Sequence, residues 1–286
     1  MTISNSTTLN DLVGQIVSAD AQSAAYANRV MRPLVRSEQL PPGAGSIVVP
    51  RFQALAVAGL TEGTAPGSTA WSSDGVTLTP VERGVYVQIS KRALHADPFS
   101  DLAPYGEQIG RALAADEDEL IIDAMDPATT INDQSSASNV ALADFLLGLS
   151  TLEAAEAPSP YYAVFHPVSW GKLRAELDDA AAFSSVGVKI VEGFGEGMTN
   201  LNGFVGQPYG IPTFISTKIN FRDTSDTYAN LMFSKQAAGY AYIQDIGVDV
   251  DENITARAFD LMGWYSGDAD ELVDLYAVCI EDDVDG

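Results

Sequence analysis

The sequence predicts an α+β fold, in which long helical and long extended segments alternate along one chain. Three observations support this prediction. Apolar residues recur at helical spacing in residues 8–30 and 101–125, strict alternation marks residues 85–90, and shorter helices and strands follow residue 140. The chain has 286 residues, of which 46% are hydrophobic and 19% charged, a composition typical of a folded protein with a substantial core.

The first part of the chain is predicted to form an amphipathic helix and a long hairpin. The helix is expected over residues 8–30, where the apolar positions are Leu9, Leu12, Val13, Ile16 and Val17. It should end near Met31, because Pro33 follows. Residues 46–93 have an extended pattern with a Gly-rich centre. That centre has no apolar period with which to bury itself, so we expect a hairpin that projects from the body and is covered by a partner.

Residues 101–125 carry the longest helical pattern. Ser100 or Asp101 is the candidate N-cap, and Pro104 falls in the first turn. One face is apolar and consists of Ile109, Leu113, Leu120, Ile121 and Ala124. About 24 residues at 1.5 Å each make a rod of roughly 36 Å. We expect the acidic run at 116–119 to form a solvated face of this rod, since adjacent helix residues point around the cylinder and do not converge on a metal.

The second half of the chain mixes short helices and strands. A helix is predicted over residues 141–156, and another begins at Pro167, with Trp170, Leu173 and Leu177 on one face. The Gly-rich stretch at 183–203 is expected to be a mobile loop. The remaining expectations are strands within 210–217 and 228–234, a second hairpin with its turn at Asp251–Asn253, a last strand over 271–282 and a frayed acidic tail at 281–286.

The charge balance limits the classes of partner. Lys and Arg number 15 against 39 Asp and Glu, so the net charge is −24. This argues against a protein that holds nucleic acid or an anionic membrane by its overall charge, because phosphate neutralisation needs clustered cations. No stretch approaches the roughly 20 apolar residues of a membrane span, and residues 1–15 lack the pattern of a secretory signal. We therefore expect no membrane partner.

A search for catalytic and metal-binding motifs yields no candidate site, so we expect no enzyme activity, cofactor or metal. Cys279 is the single cysteine; it excludes internal disulfides and lies in an apolar run, which indicates a buried hydrophobe. His166 is expected to cap a helix or pack, and His95 to lie exposed in a turn. The glycines of residues 193–197 do not open a helix as a dinucleotide motif requires, and residues 249–260 lack the glycine of a calcium loop.

The order of segments resembles the major capsid protein of a tailed double-stranded DNA virus with the Hong Kong 97-like fold. VTLTPVERGVYVQISKRAL is similar to the segment that returns the extended loop to the peripheral domain, and YGEQIGRALAADEDELIIDAM resembles the spine helix. Three further stretches resemble the axial domain and the start of the late peripheral hairpin: YYAVFHPVSWGKLRAEL, GQPYGIPTFIST and FSKQAAGYAYIQDIGVDVDEN. The resemblance spans about residues 8–280.

The resemblance implies a virion capsid subunit that is assembled in the host cytoplasm into hexamers and pentamers around double-stranded DNA, without sequence-specific binding. It also implies a portal and, in some relatives, a decoration protein as further partners. The implied divisions are an N-terminal arm at 1–45, an extended loop at 46–83, a peripheral domain at 84–126 with 239–265, and an axial domain at 127–238 with 266–286.

Two departures from the family pattern carry expectations. Some members lock the shell with a Lys–Asn isopeptide bond from the extended loop, but residues 46–83 contain no lysine, so we expect no such crosslink. The arm begins without a long scaffolding segment, which favours a separate scaffolding protein.

The acidity suggests that subunits repel one another and that shells gain stability with salt. This acidic composition is compatible with a bacterial or an archaeal host, whether halophilic or not.

Charge is sparse on the arms of the loop, which makes Arg51, Glu82, Arg83, Lys91 and Arg92 the candidates for contacts between subunits. Solvated surface is the competing role for each of them. Two alternatives stay open for the whole protein. One is an encapsulin-type nanocompartment shell with the same fold, and the other is an acidic α/β enzyme that uses carboxylate chemistry.

Overall fold

The computed structural model contains two mixed layers of helix and sheet that share one long helix. It describes residues 6–41, 43–52, 73–96, 102–125, 131–132, 140–179, 202–219 and 227–283. Five α-helices occur in these ranges: α1 Ser6–Asn28, α2 Lys91–Ala96, α3 Ala103–Met125, α4 Leu142–Ala154 and α5 Pro167–Asp179. None of the described helices is long and apolar enough to cross a membrane.

Twelve strands occur in the same ranges. They are β1 Arg36–Gln39, β2 Ile47–Phe52, β3 Ser73–Leu78, β4 Val81–Ser90, β5 Ile131–Asn132, β6 Tyr161–Phe165, β7 Phe204–Gly206, β8 Thr213–Ile215, β9 Thr227–Ser234, β10 Ala238–Asn253, β11 Ala258–Glu271 and β12 Ala277–Asp283. Short 3₁₀ turns lie at Arg32–Leu34, Pro208–Gly210 and Asp274–Tyr276.

The first sheet has the strand order β1-β10-β11-β4, with β1 parallel to β10 and the others antiparallel. Its inner face packs against α1 and α3. In β4 the alternation predicted from the sequence is present: Ile89 is buried and Val85 and Val87 pack on the same core, while Tyr86, Gln88 and Ser90 are exposed. This alternation fixes which side of the sheet faces the helices.

The second sheet has the order β5-β12-β9-β6-β8-β7 and separates two cores. Successive residues of β9 point to opposite sides, so Leu231 and Phe233 join the core shared with the C-terminal half of α3, and Met232 joins the core under α4 and α5. In β12 the same alternation buries Cys279 completely, as its apolar sequence context predicts.

The hairpin predicted at 46–93 is present in part. Strands β2 and β3 pair antiparallel from Ile47↔Leu78 to Phe52↔Ser73, and its Gly-rich centre lies outside the described residues. The second arm is not one strand, however. It breaks at Thr79 and Pro80, where the Thr79 N–H donates to the Asp268 carboxylate at 2.6 Å, and β4 then pairs with β11. The chain therefore leaves the hairpin at this break and enters the first sheet as β4.

Most helix boundaries agree with the sequence prediction: α1, α3, α4 and α5 match, and Pro167 is the first residue of α5. Ser100 and Asp101, the stretch 183–201 and the side chains of Leu9, Leu12, Val13 and Leu177 lie outside the described residues. Two expectations about α1 and α2 change. Ile16 is 50% exposed, because the buried face of α1 consists of Val17, Ala21 and Ala25. His95 lies in the short helix α2 and not in a turn.

Two expectations near the C-terminus are wrong. The turn of the second hairpin is at Ile254–Arg257, since Asp251 and Asn253 are still paired with Asp260 and Ala258. The frayed tail was predicted to begin at residue 281, but Glu281 and Asp282 are buried in β12. The Asp282 carboxylate accepts from the Val140 N–H at 2.9 Å, which gives a buried acidic group a structural partner.

Helices α1 and α3 approach each other closely through two glycines one turn apart. A Cβ added at Gly106 would lie 2.8 Å from the carbonyl oxygen of Val17, and one at Gly110 would lie 2.2 Å from that of Ala21. Real Cβ atoms do not approach backbone oxygen so closely, so only glycine permits this packing distance. Gly106 and Gly110 thus set how deeply the N-terminal helix seats on α3.

We predict that Gly110→Ala destabilises the unassembled subunit by about 1–3 kcal/mol, because the added methyl group must push α1 away from α3. Gly171→Ala on α5 is the matched control. Apart from neighbouring backbone of the same helix, no atom lies within 4 Å of a Cβ at Gly171, so alanine should be neutral or stabilise by up to about 1 kcal/mol. Urea unfolding followed by circular dichroism measures both changes. Equal unfolding midpoints for the two variants would contradict the close approach of the helices.

Candidate functional site

A buried ionic cluster joins the N-terminal helix to the rest of the molecule. Arg29 and Arg32 follow the end of α1, and Glu117 projects from the middle of α3 towards them. Arg29 Nε lies 2.5 Å from Glu117 Oε2, and Arg32 Nη1 lies 3.3 Å from Glu117 Oε1. Glu117 is fully buried and Arg29 is 6% exposed. Because both charges are withdrawn from water, each requires the other to remain ionised at low cost.

The third element of the cluster is the strand β10, which supplies Asp245. This carboxylate forms an ion pair with Arg29 and accepts from Arg32 Nη1 at 3.0 Å. Hydrogen bonding and charge attraction from the two arginines outweigh the cost of burial and lower the pKa of Asp245 to about 2. Arg32 also lies over the ring of Tyr242 at 4.1 Å, a cation–π contact. The cluster therefore ties α1, α3 and the first sheet together at one point.

Asp118, next to Glu117, has a different partner set. The backbone N–H groups of Val30 and Met31 donate to its carboxylate at 2.9–3.1 Å, where the chain leaves α1. This side chain is 4% exposed, and burial raises its pKa to about 7 despite those two hydrogen bonds. Asp118 thus satisfies two backbone donors that the end of α1 leaves without helical partners.

The acidic run at 116–119 is therefore not the solvated face that the sequence pattern suggests. Glu117 and Asp118 are buried, and only Asp116 and Glu119 remain partly accessible. Asp116 accepts from the Tyr265 hydroxyl at 2.5 Å, and Glu119 pairs with Lys218 at 2.8 Å. The interpretation failed because the groups that bury Glu117 and Asp118 come from the end of α1. They lie 85–88 residues earlier in the chain, where no local pattern connects them to α3.

Three of the five candidate contact residues have partners within the chain. Arg51 Nη2 donates to the Glu271 carbonyl oxygen at 2.8 Å, Arg83 lies 3.4 Å from Asp116, and Lys91 forms an ion pair with Glu252 near the end of the second hairpin. Arg83 and Asp116 are 45% and 42% exposed, so this pair is a weak surface contact.

Glu82 and Arg92 are exposed, and neither forms an ion pair with another residue in the described ranges. Four of the candidates, Glu82, Arg83, Lys91 and Arg92, lie along or directly after β4. This strand is at the edge of the first sheet, so one of its sides has no neighbour among the described strands. The structure brings these four residues to one edge and places Arg51 on the hairpin.

The outer face of the first sheet carries large apolar side chains. Tyr86 and Met262 are directly opposite each other in the β4–β11 register and are 58% and 42% exposed. At the start of the turn between β10 and β11, Ile254 is 80% exposed, and on the hairpin of β2 and β3 Val48 is 59% exposed. Exposed apolar groups of this size on several elements are typical of surfaces that a partner covers.

Among the groups that could carry chemistry, His166 has a structural role. His166 stacks on Tyr228 with ring centroids 3.7 Å apart, and its Nδ1 accepts from the Val168 N–H at the start of α5, as a cap. Burial lowers the pKa of His166, which favours the neutral imidazole that such a cap needs. Within the described ranges, no three His, Cys, Asp or Glu residues are arranged to hold a metal ion.

The chain is similar to one protein family. A family model described as phage capsid protein matches residues 73–270, which is more than half of the chain. The matched region begins at β3 and ends within β11, so it contains α3 with Glu117 and Asp118 and all but the last residue of the second hairpin. No curated protein sequence matches the chain.

Solved structures with the same fold come from several viruses and one virus-like particle. The capsid of the cyanophage P-SCSP1u aligns with a TM-score of 0.63 and 16% identity over 86% of each chain. A structure of Mycobacterium phage Che8 aligns with a TM-score of 0.62 and 17% identity over 83% of this chain and 84% of that one. The virus-like particle from Pyrococcus furiosus aligns with a TM-score of 0.62 and 13% identity over 93% of this chain and 98% of that one. At these identities the likeness establishes the fold.

We predict that Glu117→Ala destabilises the unassembled subunit by about 3 kcal/mol, because it leaves Arg29 buried with only Asp245 as counter-charge. Glu107→Ala on the same helix is the control. Glu107 pairs with Arg111 at 3.5 Å, but both side chains are half exposed, so its loss should cost no more than about 0.5 kcal/mol. Urea unfolding at constant pH and salt measures the difference. Similar losses in the free energy of unfolding for the two variants would mean that the buried cluster contributes no more to stability than an exposed ion pair.

A second prediction concerns pH. The folded-state pKa of Asp118 is about 7 and its unfolded value is about 4, so the folded state holds an extra proton between these values. Its contribution to stability is therefore lost as pH rises from about 4 to about 7. In Asp118→Asn the side-chain oxygen can still accept from Val30 and Met31, and this part of the pH dependence should disappear.

The measurement is the free energy of unfolding of the unassembled subunit from pH 5 to 8. Glu271, whose pKa is also raised to about 7 by burial and by Asp274, should leave a contribution of the same sign in Asp118→Asn, and His166, whose pKa is lowered by burial, one of opposite sign. Asp118→Ala should instead lose about 1–3 kcal/mol at every pH, because it leaves two buried backbone donors unpaired. An unchanged slope in Asp118→Asn would assign the titration to other groups.

Proposed function

Since the chain belongs to the phage capsid protein family, we propose that its copies form the hexamers and pentamers of an icosahedral shell that encloses double-stranded DNA. The protein is a structural protein, a major capsid subunit of the virion with a Hong Kong 97-like α+β fold. The observation that carries this conclusion is the family match over residues 73–270. Assembly in the host cytoplasm is part of the proposal.

The proposal divides the chain as the resemblance implies. Residues 1–45 act as the arm and 46–83 as the extended loop. Residues 84–126 with 239–265 form the peripheral domain, and residues 127–238 with 266–286 form the axial domain. In support, β4, β10 and β11 share the first sheet, and β5–β9 with β12 share the second. The helix α3 then acts as the spine that both domains pack against.

Packing within the subunit supports the idea that the extended loop lies on a neighbour. Within the described ranges, β2 and β3 form a sheet of two strands, which is at best marginally stable by itself. One side of its base is fixed, since Val49, Val76 and Leu78 pack on Leu40, Ala241 and Leu272. The opposite side exposes Val48. A neighbouring subunit that covers this side would supply the apolar contacts that the hairpin lacks.

The five candidate residues have a place in this proposal. Glu82, Arg83, Lys91 and Arg92 lie along the free edge of the first sheet, where an adjoining subunit can reach charged groups and unpaired backbone together. Arg51 lies at the base of the extended loop. The pairs with Asp116 and Glu252 then orient Arg83 and Lys91 before assembly.

The acidity of the chain suits a container for DNA. A subunit with a net charge of −24 repels phosphate and leaves the genome free to move, so no sequence-specific DNA binding is proposed. Further partners under this proposal are a separate scaffolding protein, a portal and, in some particles, a decoration protein. A Lys–Asn crosslink from the extended loop is not proposed, because residues 46–83 contain no lysine.

The family match favours this function over the two alternatives. An encapsulin-type shell would share the fold, but the matching family model is that of phage capsid proteins. An acidic enzyme would need an available set of carboxylates. The most buried acids described, Glu117, Asp118 and Asp282, are instead engaged by arginines, backbone N–H groups or Lys172.

The test is assembly of the purified protein at two salt concentrations. We expect shells of megadalton mass by negative-stain imaging and light scattering, with the scaffolding protein supplied if the chain alone stays small. Like-charge repulsion between subunits is screened as the Debye length falls from about 10 Å at 0.1 M to about 3 Å at 1 M salt. Shells should therefore melt at higher temperature in 1 M NaCl. A compact monomer under all conditions would contradict the proposed function, and equal melting in both salts would contradict the role of charge.

A further inference from the structure

A cationic cavity lies at the base of the extended loop, in a protein whose surface is otherwise strongly acidic. It has a volume of about 590 Å³. It lies between β2, the turn that joins β9 to β10, and the segment that follows β11. Arg36, Arg51 and Lys235 line it, and no carboxylate side chain is among its described lining residues. Since the chain has 15 cations against 39 acids, three cations around one cavity without an acid are contrary to its average composition.

The positive charge of this cavity is only partly balanced within the subunit. Arg51 donates from Nη2 to the Glu271 carbonyl oxygen, but its Nε is buried and has no hydrogen-bond partner. Lys235 is exposed and forms no ion pair with the residues described. Arg36 pairs with Glu38 at 2.9 Å, but both are more than 40% exposed, so solvent weakens the pair.

The Glu271 carboxyl group interacts with the charge of Arg51, but it is a poor counter-charge. Its Oε1 is buried without a hydrogen-bond partner, and the neighbouring acid Asp274 acts against its ionisation. Arg36, Arg51 and Lys235 surround the cavity, and an anionic group placed between them would receive charge-assisted hydrogen bonds together with opposite charge. The cavity therefore has the chemistry of a carboxylate-binding site.

The walls of the cavity are held in place before any ligand arrives. Val49 and Leu272, which line it, belong to the apolar cluster that anchors the base of the hairpin. On the other side, the backbone N–H groups of Leu272 and Val273 both donate to the Ala237 carbonyl oxygen, at 2.7 and 3.1 Å. Arg51 and Lys235 are thus presented from fixed backbone, which lowers the ordering cost of binding.

We propose that this cavity binds a carboxylate-bearing segment of a second copy of the chain and so fixes the base of the extended loop against its neighbour. The inference rests on the proposed function, because it needs subunits in contact. Charge complementarity selects the occupant: each copy carries 39 acidic residues, and close packing brings them to the cavity at high local concentration. The attraction acts over a few ångströms, whereas the net repulsion acts between whole subunits.

The first test is zero-length carbodiimide crosslinking of shells assembled from equal amounts of unlabelled and nitrogen-15-labelled subunits. The reagent joins a lysine amine to a carboxylate in direct contact, and mass spectrometry separates links within one copy from links between an unlabelled and a labelled copy. We expect a mixed link that contains Lys235. Mixed links at other lysines without one at Lys235 would overturn the inference and leave the shell function intact. Absence of any shell would instead contradict the proposed function.

The second test removes the charge of the cavity. Arg36→Gln with Lys235→Gln is compared with Arg174→Gln with Arg257→Gln, which removes the same charge at exposed positions on α5 and on the turn of the second hairpin. Both double variants should unfold as the unassembled wild-type subunit does. The cavity variant should need about three- to tenfold more protein to assemble, whereas the control variant, which loses the same two positive charges and so gains only the added repulsion between subunits, should assemble nearly as wild type does.

Equal assembly of the two double variants would overturn the inference. A phosphate group of the genome is the competing occupant, and DNA-free shells distinguish it. If the cavity variant is impaired only when DNA is present, the cavity holds phosphate and the carboxylate assignment is wrong. If the defect is the same in DNA-free shells, the occupant belongs to a protein chain.

Discussion

The burial of Glu117 between Arg29 and Arg32 is the interaction on which the rest of the fold depends. Above it on α3, Ile109 and Leu113 belong to the core of the first sheet, and below it Ile121 and Met125 belong to the core of the second. The cluster therefore lies at the seam of two hydrophobic cores. Apolar packing has no direction, so it cannot set the position of one core relative to the other. The directed ion pairs and the hydrogen bonds to Asp118 can set this relative position. They also fix the end of α1 at the boundary between the two cores. This is the best-attested use of buried charge, in which stability is exchanged for a defined arrangement.

The sequence predicts those features of the fold that depend on local pattern. The bounds of α1, α3 and α5 and the alternation in β4 follow from periodicity and from Pro167, and the structure agrees with them. Where the prediction failed, the deciding partner is distant or lies across the strand. Glu117 and Asp118 resemble any exposed acidic pair until Arg29, Arg32 and the backbone of Val30 approach. The turn of the second hairpin moves beyond Asn253 because the Asn253 side chain bonds to Asp260 and to the Ala256 N–H, which extends the ladder before the chain reverses.

The candidate site was predictable in outline only. Sparse charge on the loop arms drew attention to Arg51, Arg83 and Lys91, and each of them has a definite position in the structure. What local pattern could not indicate is that Arg51 shares a cavity with Arg36 and Lys235, since these residues come from three separate elements. Gly106 and Gly110 are four residues apart in the sequence, but their role depends on the close approach of α1 and was not predicted. Contacts between segments distant in sequence decide each of these points.

Charge acts on two length scales in an assembled wall. The net charge of −24 opposes the approach of whole subunits and is weakened by salt, because the charges are separated by more than a Debye length. A cation in contact with a carboxylate inside a cavity is screened far less. An acidic subunit with a few fixed cationic positions is therefore attracted to its neighbours only where these positions meet an acid, and it is repelled in other orientations. Such a distribution makes incorrect contacts dissociate readily and correct ones persist, and this selectivity is what a closed shell of identical subunits requires.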